Sequence, residues 1–259
     1  MNFSVTVIIP TYNSSSYIDK PIQSVANQTF SVKKIIVVDD KSNDIGKLKL
    51  KLASLKKNLF SNIELIINKK NLGPGYSRNI GWDKCNTNLI AFLDDDDYWS
   101  KDKIKKQIQI FKKNKDVSLV ASKKKFLNKS IKLESNKYKF KKIKFLSLIF
   151  KNYIPTSTVV LKKSIKHRFL NNKYAEDYFL WLSIIKDKKN CFFINEYMCE
   201  ELSIYKNIKL SKNQKQIKKN INKILSSFYN DNIINNLIIF IAKQYNNLKI
   251  NLKILFKLS

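Results

Sequence analysis

The amino-acid sequence predicts an α/β fold in which helices flank a mostly parallel β-sheet. Short apolar runs rich in Ile and Val alternate with segments whose apolar residues recur every three or four positions. Polar or acidic residues directly follow three of the predicted strands. Hydrophobic residues make up 44% of the 259 residues, so the chain has enough apolar surface to fill a core.

The first predicted strand, at residues 3–9, is nearly continuously apolar, which is typical of a strand buried on both faces. We expect Pro10 to end it, because proline has no backbone N–H to donate to a neighbouring strand. A second buried strand is predicted at 34–38, and a third and a fourth strand are predicted at 63–67 and 89–93.

Helices are predicted between these strands. The first begins at Ser residues suited to N-capping and places Ile18, Ile22 and Val25 on one face. The three predicted helices span 14–28, 45–59 and 75–85. Strands joined by such helical crossovers run parallel, and ligands bind beyond their carboxyl ends.

The second half of the chain is less regular. Strands are predicted at 117–121, 157–161 and 191–194, and helices at 101–114 and 176–187. The Lys-rich segment 123–145 predicts no clear element. From about residue 212 two basic amphipathic helices are expected, and the first aligns Ile217, Ile221, Ile224, Leu225 and Phe228 on one face.

The formal net charge of +30 is distributed unevenly. Residues 1–100 hold 13 Lys and Arg against 10 acids, whereas the rest of the chain holds 37 against 10. A basic surface attracts nucleic acid, anionic lipid or acidic ligands, although a general bias towards Lys and Asn accounts for it equally well.

Cysteine and histidine content excludes several kinds of site. Three widely spaced cysteines, Cys85, Cys191 and Cys199, form neither a disulfide framework nor a zinc motif and suit a reducing compartment. A single histidine, His167, argues against Ser-His-Asp chemistry. No apolar run approaches the ~20 residues that span a bilayer, and no signal peptide is evident, so a cytoplasmic protein is expected.

The sharpest chemical signal is the sequence FLDDDDYW at 92–99. Four consecutive acids after a buried strand repel one another and need a cation or ample water. Carboxylate oxygens are hard ligands that suit Mg²⁺ or Mn²⁺. The alternative is a solvated acidic turn, which the position after a buried strand disfavours.

Five segments occur in an order that resembles the family 2 glycosyltransferases, which have the GT-A fold. The resemblance covers roughly residues 1–205. The segments are VTVIIPTYN, VVDDKSND, NLGPGYSRNIG, IAFLDDDDYW and EDYFLWL.

The resemblance implies a binding site for a nucleotide-sugar donor. The residues it assigns to this site are Pro10, Thr11, Tyr12, Asn13, Asp39, Asp40, Arg78, Asn79, Asp94 and Asp95. Asp39 matches an acid that accepts a hydrogen bond from uracil. Lys41 stands where the family usually has Gly, which makes the local turn geometry an open question. Arg78 suits a diphosphate, and a salt bridge to the acidic cluster is the alternative.

The resemblance also implies a divalent metal, Mn²⁺ or Mg²⁺, and a general base. Asp96 and Asp94 match the metal-binding pair, with Asp95 and Asp97 as supporting residues. Glu176 and Asp177 match the catalytic acidic pair, and we assign the base to Asp177. The physical alternative is a pair of acids that merely stabilises a helix N-terminus.

The expected protein is an inverting glycosyltransferase with a catalytic domain at 1–205 and a basic helical extension at 206–259. The resemblance implies a UDP-sugar donor and a saccharide acceptor, carried on polyprenyl diphosphate, in cell-surface polysaccharide synthesis. The basic helices predict peripheral attachment to anionic lipid at the inner face of the cell membrane.

Two other functions remain open on the sequence alone. A nucleotidyltransferase also uses paired carboxylates and a metal, but residues 10–16 offer no triphosphate-binding loop. The charge of +30 by itself suits a nucleic-acid-binding protein. No nucleic-acid motif is recognisable, and we expect no nucleic-acid partner.

Overall fold

The structure is a computed structural model, and it describes residues 2–125, 140–171, 174–187, 189–202, 213–229 and 232–255. The strands are β1 (Val5–Thr11), β2 (Lys34–Asp39), β3 (Ile63–Ile67), β4 (Leu89–Phe92), β5 (Asp97–Trp99), β6 (Val117–Lys125), β7 (Phe140–Lys142), β8 (Val160–Lys162) and β9 (Asn190–Glu201). The helices are α1 (Asp19–Ala26), α2 (Ile45–Asn58), α3 (Pro74–Asp83), α4 (Lys103–Lys113), α5 (Phe145–Phe150), α6 (Glu176–Lys186), α7 (Gln214–Ser226) and α8 (Ile233–Leu255).

The described strands form one sheet in the order β3-β2-β1-β4-β8-β6-β9-β5, with β7 paired to β9. Strands β1 to β4 are parallel, as the alternation predicts. Beyond β4 the sheet is mixed, because β8, β7 and β5 run antiparallel to their neighbours while β6 and β9 are parallel. The predicted α/β fold with flanking helices is confirmed.

Two hydrophobic clusters cover the two faces of the sheet. Alternate residues of a strand enter opposite clusters: Ile8 lies in one, whereas Val7 and Ile9 lie in the other. Helices α1, α2 and α4 pack on one face, and α3, α5 and α6 pack on the other. Leu225 of α7 and Ile239 and Ala242 of α8 belong to the same cluster as α3, α5 and α6.

Several predicted boundaries differ from the structure. Strand β1 continues through Pro10 to Thr11, because its extended backbone accommodates proline near the end of the strand. The first helix begins at Asp19 rather than at residue 14, since Tyr17 and Ile18 first donate to the carbonyl of Ser14 in a turn. The proposed domain boundary at 205–206 lies outside the described residues and stays a prediction.

The later elements were harder to predict. Residues Thr156–Thr158 form a 3₁₀ turn, so the strand expected at 157–161 begins only at Val160. The strand expected at 191–194 runs on to Glu201. In the Lys-rich segment 123–145, β6 extends to Lys125, β7 is present and α5 begins at the last residue, while residues 126–139 lie outside the described part. No described helix combines the length and apolar character needed to span a bilayer.

Candidate active site

A cleft of about 830 Å³ opens at the carboxyl ends of the parallel strands. Its lining includes most of the residues that the sequence singles out. These are Pro10, Thr11, Tyr12, Asn13, Asp40, Arg78, Asp94, Asp95, Asp96, Glu176 and Asp177. The structure therefore brings together acids and aromatic groups from β1, β2, β4 and α6, as parallel strands that end at one edge require.

The loop after β1 presents an aromatic ring to this cleft. Tyr12 is 48% exposed, and its backbone N–H donates to Asp95 Oδ2 at 3.3 Å. The Asn13 N–H donates to Ser42 Oγ at 2.8 Å, and its side-chain oxygen accepts from the Asn43 N–H at 2.8 Å. These bonds tie the loops after β1 and β2 together and leave the Tyr12 ring available for stacking on a ligand.

The two acids after β2 have different roles. Asp40 accepts the backbone N–H groups of Leu72 at 3.0 Å and Gly73 at 2.7 Å, so it holds the loop that enters α3. Asp39 is fully buried and is not among the cleft-lining residues. One of its oxygens accepts the Ser42 N–H at 3.0 Å, and the other has no hydrogen-bond partner among the described residues. Asp39 therefore has one unused acceptor atom, which is not exposed to the cleft in this structure.

Lys41 keeps the turn geometry that glycine would permit. Its φ is 64°, in the left-handed region that a side chain makes unfavourable by roughly 1–2 kcal/mol. The Lys-for-Gly difference therefore preserves the backbone course between Asp40 and Ser42. Lys41 therefore strains the backbone at this position, but the turn itself is present.

Arg78 lies between two carboxylates. Its Nη2 donates to Asp94 Oδ1 at 2.6 Å and its Nη1 donates to Glu176 Oε1 at 2.9 Å, while its side chain is only 5% exposed. Burial disfavours the charged form, but Asp94 and Glu176 outweigh it and hold the pKa of Arg78 above its usual value. The structure thus shows the salt bridge that the sequence offers as the alternative, and contact between Arg78 and a diphosphate stays a prediction.

Asn79 does not line the cleft. Its amide donates to the Phe169 carbonyl at 2.9 Å and accepts the Phe169 N–H at 3.0 Å. Consecutive helical residues point in directions about 100° apart, so the neighbour of a cleft-facing Arg78 faces elsewhere. In this structure Asn79 holds the backbone of Phe169, and its assignment to donor binding stays a prediction.

The acidic run after β4 is compact. Asp94, Asp96 and Asp97 each offer a carboxylate oxygen, and these oxygens lie within 4.8 Å of one another. Asp97 pairs with Lys124 at 2.5 Å and belongs to β5, a strand that the sequence did not predict. Burial raises the pKa of Asp97 to about 7 although Lys124 opposes the shift. Burial also acts on Asp94, but Arg78 and Lys124 hold its pKa below the usual value.

The acidic pair lies at the N-terminus of α6. Ala175 precedes it in the left-handed conformation, with φ of 58°. Asp177 accepts the Thr156 hydroxyl at 3.1 Å and the Tyr178 N–H at 2.7 Å. Burial raises the pKa of Asp177, and burial together with Asp177 raises the pKa of Glu176 to about 7. A carboxylate with a raised pKa accepts a proton more readily near neutral pH.

Comparison with known proteins identifies the family. The model of the family described as "Glycosyl transferase family 2" matches residues 6–169. The chain belongs to glycosyl transferase family 2. It is 33% identical to the Escherichia coli UDP-Glc:alpha-D-GlcNAc-diphosphoundecaprenol beta-1,3-glucosyltransferase WfgD over 80% of this chain and 81% of that one. It is 32% identical to an uncharacterized glycosyltransferase of Haemophilus influenzae over 71% and 73%.

Solved structures of glycosyltransferases share the fold. S. aureus TarS 1-349 in complex with UDP-GlcNAc superposes with a TM-score of 0.69 at 19% identity, over 91% of this chain and 70% of that one. The mannosyltransferase PcManGT from Pyrobaculum calidifontis, in complex with GDP-Man and Mn²⁺, gives 0.69 at 15% identity, over 96% and 71%. At these identities the likeness establishes the GT-A fold, as expected from the sequence.

In this family 2 chain the ligand atoms that the acidic cluster offers fit a divalent cation. All the candidate ligands are carboxylate oxygens, which hard ions prefer. One oxygen of Asp97 is buried with no hydrogen-bond partner among the described residues, so it has an unused acceptor. Asp94 and Asp96, the two residues predicted to bind metal, therefore gain Asp97 as a third candidate.

The sequence did not predict two residues of the family 2 site. Lys124 lines the cleft from β6, and Thr156 holds Asp177 from the turn before β8. Neither residue carries a distinctive local pattern, since Lys124 is one of three consecutive lysines and Thr156 follows a proline. The pairing of β6 and β8 next to β4 brings them to the site.

Proposed function

We propose that the chain is an inverting glycosyltransferase that transfers a sugar from a UDP-sugar to a hydroxyl of a lipid-linked saccharide acceptor. One observation carries this proposal. A single cleft is lined by Asp94 and Asp96, two members of the carboxylate cluster that fits a divalent ion, and by a separate aspartate, Asp177, whose pKa is raised. With its ion, the carboxylate cluster suits the diphosphate of a sugar nucleotide, and Asp177 suits proton removal from an acceptor hydroxyl.

The nucleoside of the donor fits the side of the cleft formed by β1 and β2. The exposed ring of Tyr12 offers a surface for stacking, and Asp39, next to the cleft-lining Asp40, stays the predicted acceptor for a base N–H. Similarity to WfgD, whose name specifies UDP-Glc, supports a uridine donor. The complex of TarS with UDP-GlcNAc supports the same choice.

Asp177 acts as the general base in the proposed reaction. Its carboxylate removes the proton of the acceptor hydroxyl while that oxygen bonds to the anomeric carbon of the donor. The bond between the anomeric carbon and the diphosphate breaks at the same time, so configuration inverts and UDP leaves. Arg78 holds Glu176 and Asp94 in place beside these groups. A divalent ion bound by the acidic cluster would offset the charge that develops on the leaving diphosphate.

Similarity to WfgD supports the choice of acceptor, and the surface of α8 supports the proposed location of the protein. WfgD takes its name from a diphosphoundecaprenol-linked acceptor, which supports a lipid-linked saccharide and cell-surface polysaccharide synthesis here. Helix α8 exposes a continuous apolar stripe while its opposite face packs on the core. The stripe comprises Ile233, Ile234, Leu237, Phe240, Ile241, Tyr245 and Leu248. Combined with the net charge of +30, this stripe supports peripheral binding to an anionic membrane at the cytoplasmic face.

A donor screen tests the reaction. UDP release from a panel of UDP-sugars is measured with Mn²⁺, Mg²⁺ or EDTA, in the presence of diphospholipid-linked saccharides. Asp96→Ala should abolish metal-stimulated release, and Asp177→Asn should lower the rate of transfer about 10²–10⁴-fold while retaining donor binding. Asp116→Ala, which removes an exposed acid that does not line the cleft, is the matched control. Wild-type protein that binds no sugar nucleotide with or without metal would refute the proposal.

A vesicle experiment tests the membrane proposal. Binding to phosphatidylglycerol vesicles should weaken as salt rises, because screening shortens the reach of the lysine charges. A Leu237→Ser/Ile241→Ser variant should bind less at every salt concentration, because it removes two exposed apolar side chains from α8. Binding that responds to neither change would refute peripheral attachment through this helix.

A further inference from the structure

A second cavity, of about 970 Å³, adjoins the cleft. Its walls come from the end of β6, from β7 and from the segment around α5. Seven lysines line it: Lys123, Lys124, Lys125, Lys141, Lys142, Lys144 and Lys151. Among the lining residues in the described ranges, Asp177 is the one carboxylate. The cavity therefore carries a large excess of positive charge next to the proposed general base.

The two cavities share three lining residues, Lys124, Asn152 and Asp177. A general base must contact the hydroxyl that it deprotonates. The donor side of Asp177 is the cleft that contains Tyr12 and the acidic cluster. An acceptor that reaches Asp177 from outside the donor region thus passes through the lysine-lined cavity.

The lysines differ in how far their charge is already compensated. Lys124 pairs with Asp97 at 2.5 Å, and Lys125 lies 3.7 Å from Glu200. Within the described part of the chain, Lys142, Lys144 and Lys151 show no ion pair, and all three are exposed. Like charges gathered on a concave surface repel one another, and a multivalent anion removes that repulsion.

Aromatic side chains accompany these charges. Tyr153, Phe193 and Tyr197 line the same cavity, and Tyr197 is 41% exposed. Lys141 lies 6.0 Å from the Tyr153 ring centre, and Lys123 lies 5.1 Å from that of Tyr197. Rings flanked by cations suit a ligand that combines a sugar ring with an anionic group.

We propose that this cavity is the acceptor subsite and that Lys142, Lys144 and Lys151 bind the phosphate or diphosphate of the acceptor. The inference rests on the proposed function, since it takes Asp177 as the base, and it specifies the acceptor class as a saccharide bearing an anionic phosphate linkage. The lysines position the acceptor electrostatically, and its sugar hydroxyl lies at the shared wall beside Asp177.

Binding of farnesyl diphosphate tests the proposal without knowledge of the acceptor sugar. Affinity is measured by calorimetry with saturating UDP and Mg²⁺, and farnesol serves as the uncharged comparison. The triple variant Lys142→Gln/Lys144→Gln/Lys151→Gln should weaken farnesyl diphosphate binding about tenfold or more. The effect should shrink as salt rises. The matched control Lys49→Gln/Lys56→Gln/Lys57→Gln, with three exposed lysines on α2 that line neither cavity, should bind as wild type.

The outcomes separate this proposal from the proposed function. UDP affinity, measured alone, should be the same in wild type and both variants; absence of UDP binding in all three would refute the donor assignment but leave the phosphate subsite standing. The subsite is refuted if wild type binds farnesyl diphosphate no better than farnesol, or if the two triple variants weaken binding equally. It is also refuted if the cavity variant loses only phosphatidylglycerol-vesicle binding, because the lysines would then face the membrane.

Discussion

Replacement of Arg78 by glutamine should destabilise the protein in a pH-dependent way. The Arg78 side chain is 5% exposed and bonds to Asp94 at 2.6 Å and to Glu176 at 2.9 Å. Removing one member of a buried ion pair costs about 3–5 kcal/mol, because the remaining charge is left without compensation. Since the Asp94 side chain is 29% exposed, solvent screens part of this loss. We therefore expect a decrease of about 3 kcal/mol in the free energy of unfolding at pH 9.

The pH dependence follows from Glu176. Its pKa is already raised from 4.5 to about 7 by burial and Asp177, against the opposing effect of Arg78. Without Arg78, the folded-state pKa of Glu176 rises further above its unfolded value. When the folded-state pKa of a carboxyl group lies above its unfolded value, the folded protein loses stability as the pH rises through the folded-state pKa. The variant should therefore be closest to wild type near pH 5 and furthest from it near pH 9.

Urea unfolding followed by tryptophan fluorescence measures this difference at pH 5, 7 and 9. A second variant, Arg78→Gln/Glu176→Gln, removes the uncompensated charge and should recover at least about 1 kcal/mol at pH 9. In thermal melts, about 3 kcal/mol corresponds to a decrease in Tm of roughly 6–12 °C for a chain of this size. A loss below about 1 kcal/mol, a loss independent of pH, or no recovery in the double variant would refute the reasoning.

Three further predictions concern the same site. The rate of sugar transfer should fall as the pH decreases, with its acid limb above the usual aspartate range, because burial raises the pKa of Asp177 from 3.8; Asp177→Asn should lower kcat about 10²–10⁴-fold and remove that limb from a pH–rate profile. Gly75→Ala should destabilise the protein by about 1–3 kcal/mol in urea unfolding, since a Cβ there would lie 2.6 Å from the Glu176 Cγ and 2.9 Å from the Leu170 carbonyl oxygen; an unchanged midpoint would contradict this close approach. Lys41→Gly should raise Tm, because relief of roughly 1–2 kcal/mol of backbone strain at φ 64° exceeds the roughly 0.4–1 kcal/mol that glycine costs through the entropy of the unfolded chain. A lowered Tm would show that the Lys41 side chain outweighs that strain.

The sequence predicted the regular half of the fold well because its signals are local. Strands β1 to β4 and helices α2 and α3 follow from apolar runs and helical spacing, and each of these patterns lies within a short stretch of sequence. Strand β5 escaped notice because its three residues, Asp97–Trp99, lack an apolar pattern. Their extended conformation depends on pairing with β9, about a hundred residues later in the chain.

The sequence by itself determined the α/β class and the placement of acidic residues at strand ends, because hydrophobic periodicity and strand ends depend on residues that are neighbours in the chain. Only the tertiary structure decided which partners those acids have. It joins Arg78 to Glu176 across 98 positions, directs Asn79 to Phe169, and brings Lys124 against Asp97. Such contacts depend on strand order and on helix rotation about its axis, and no short stretch of sequence encodes either one.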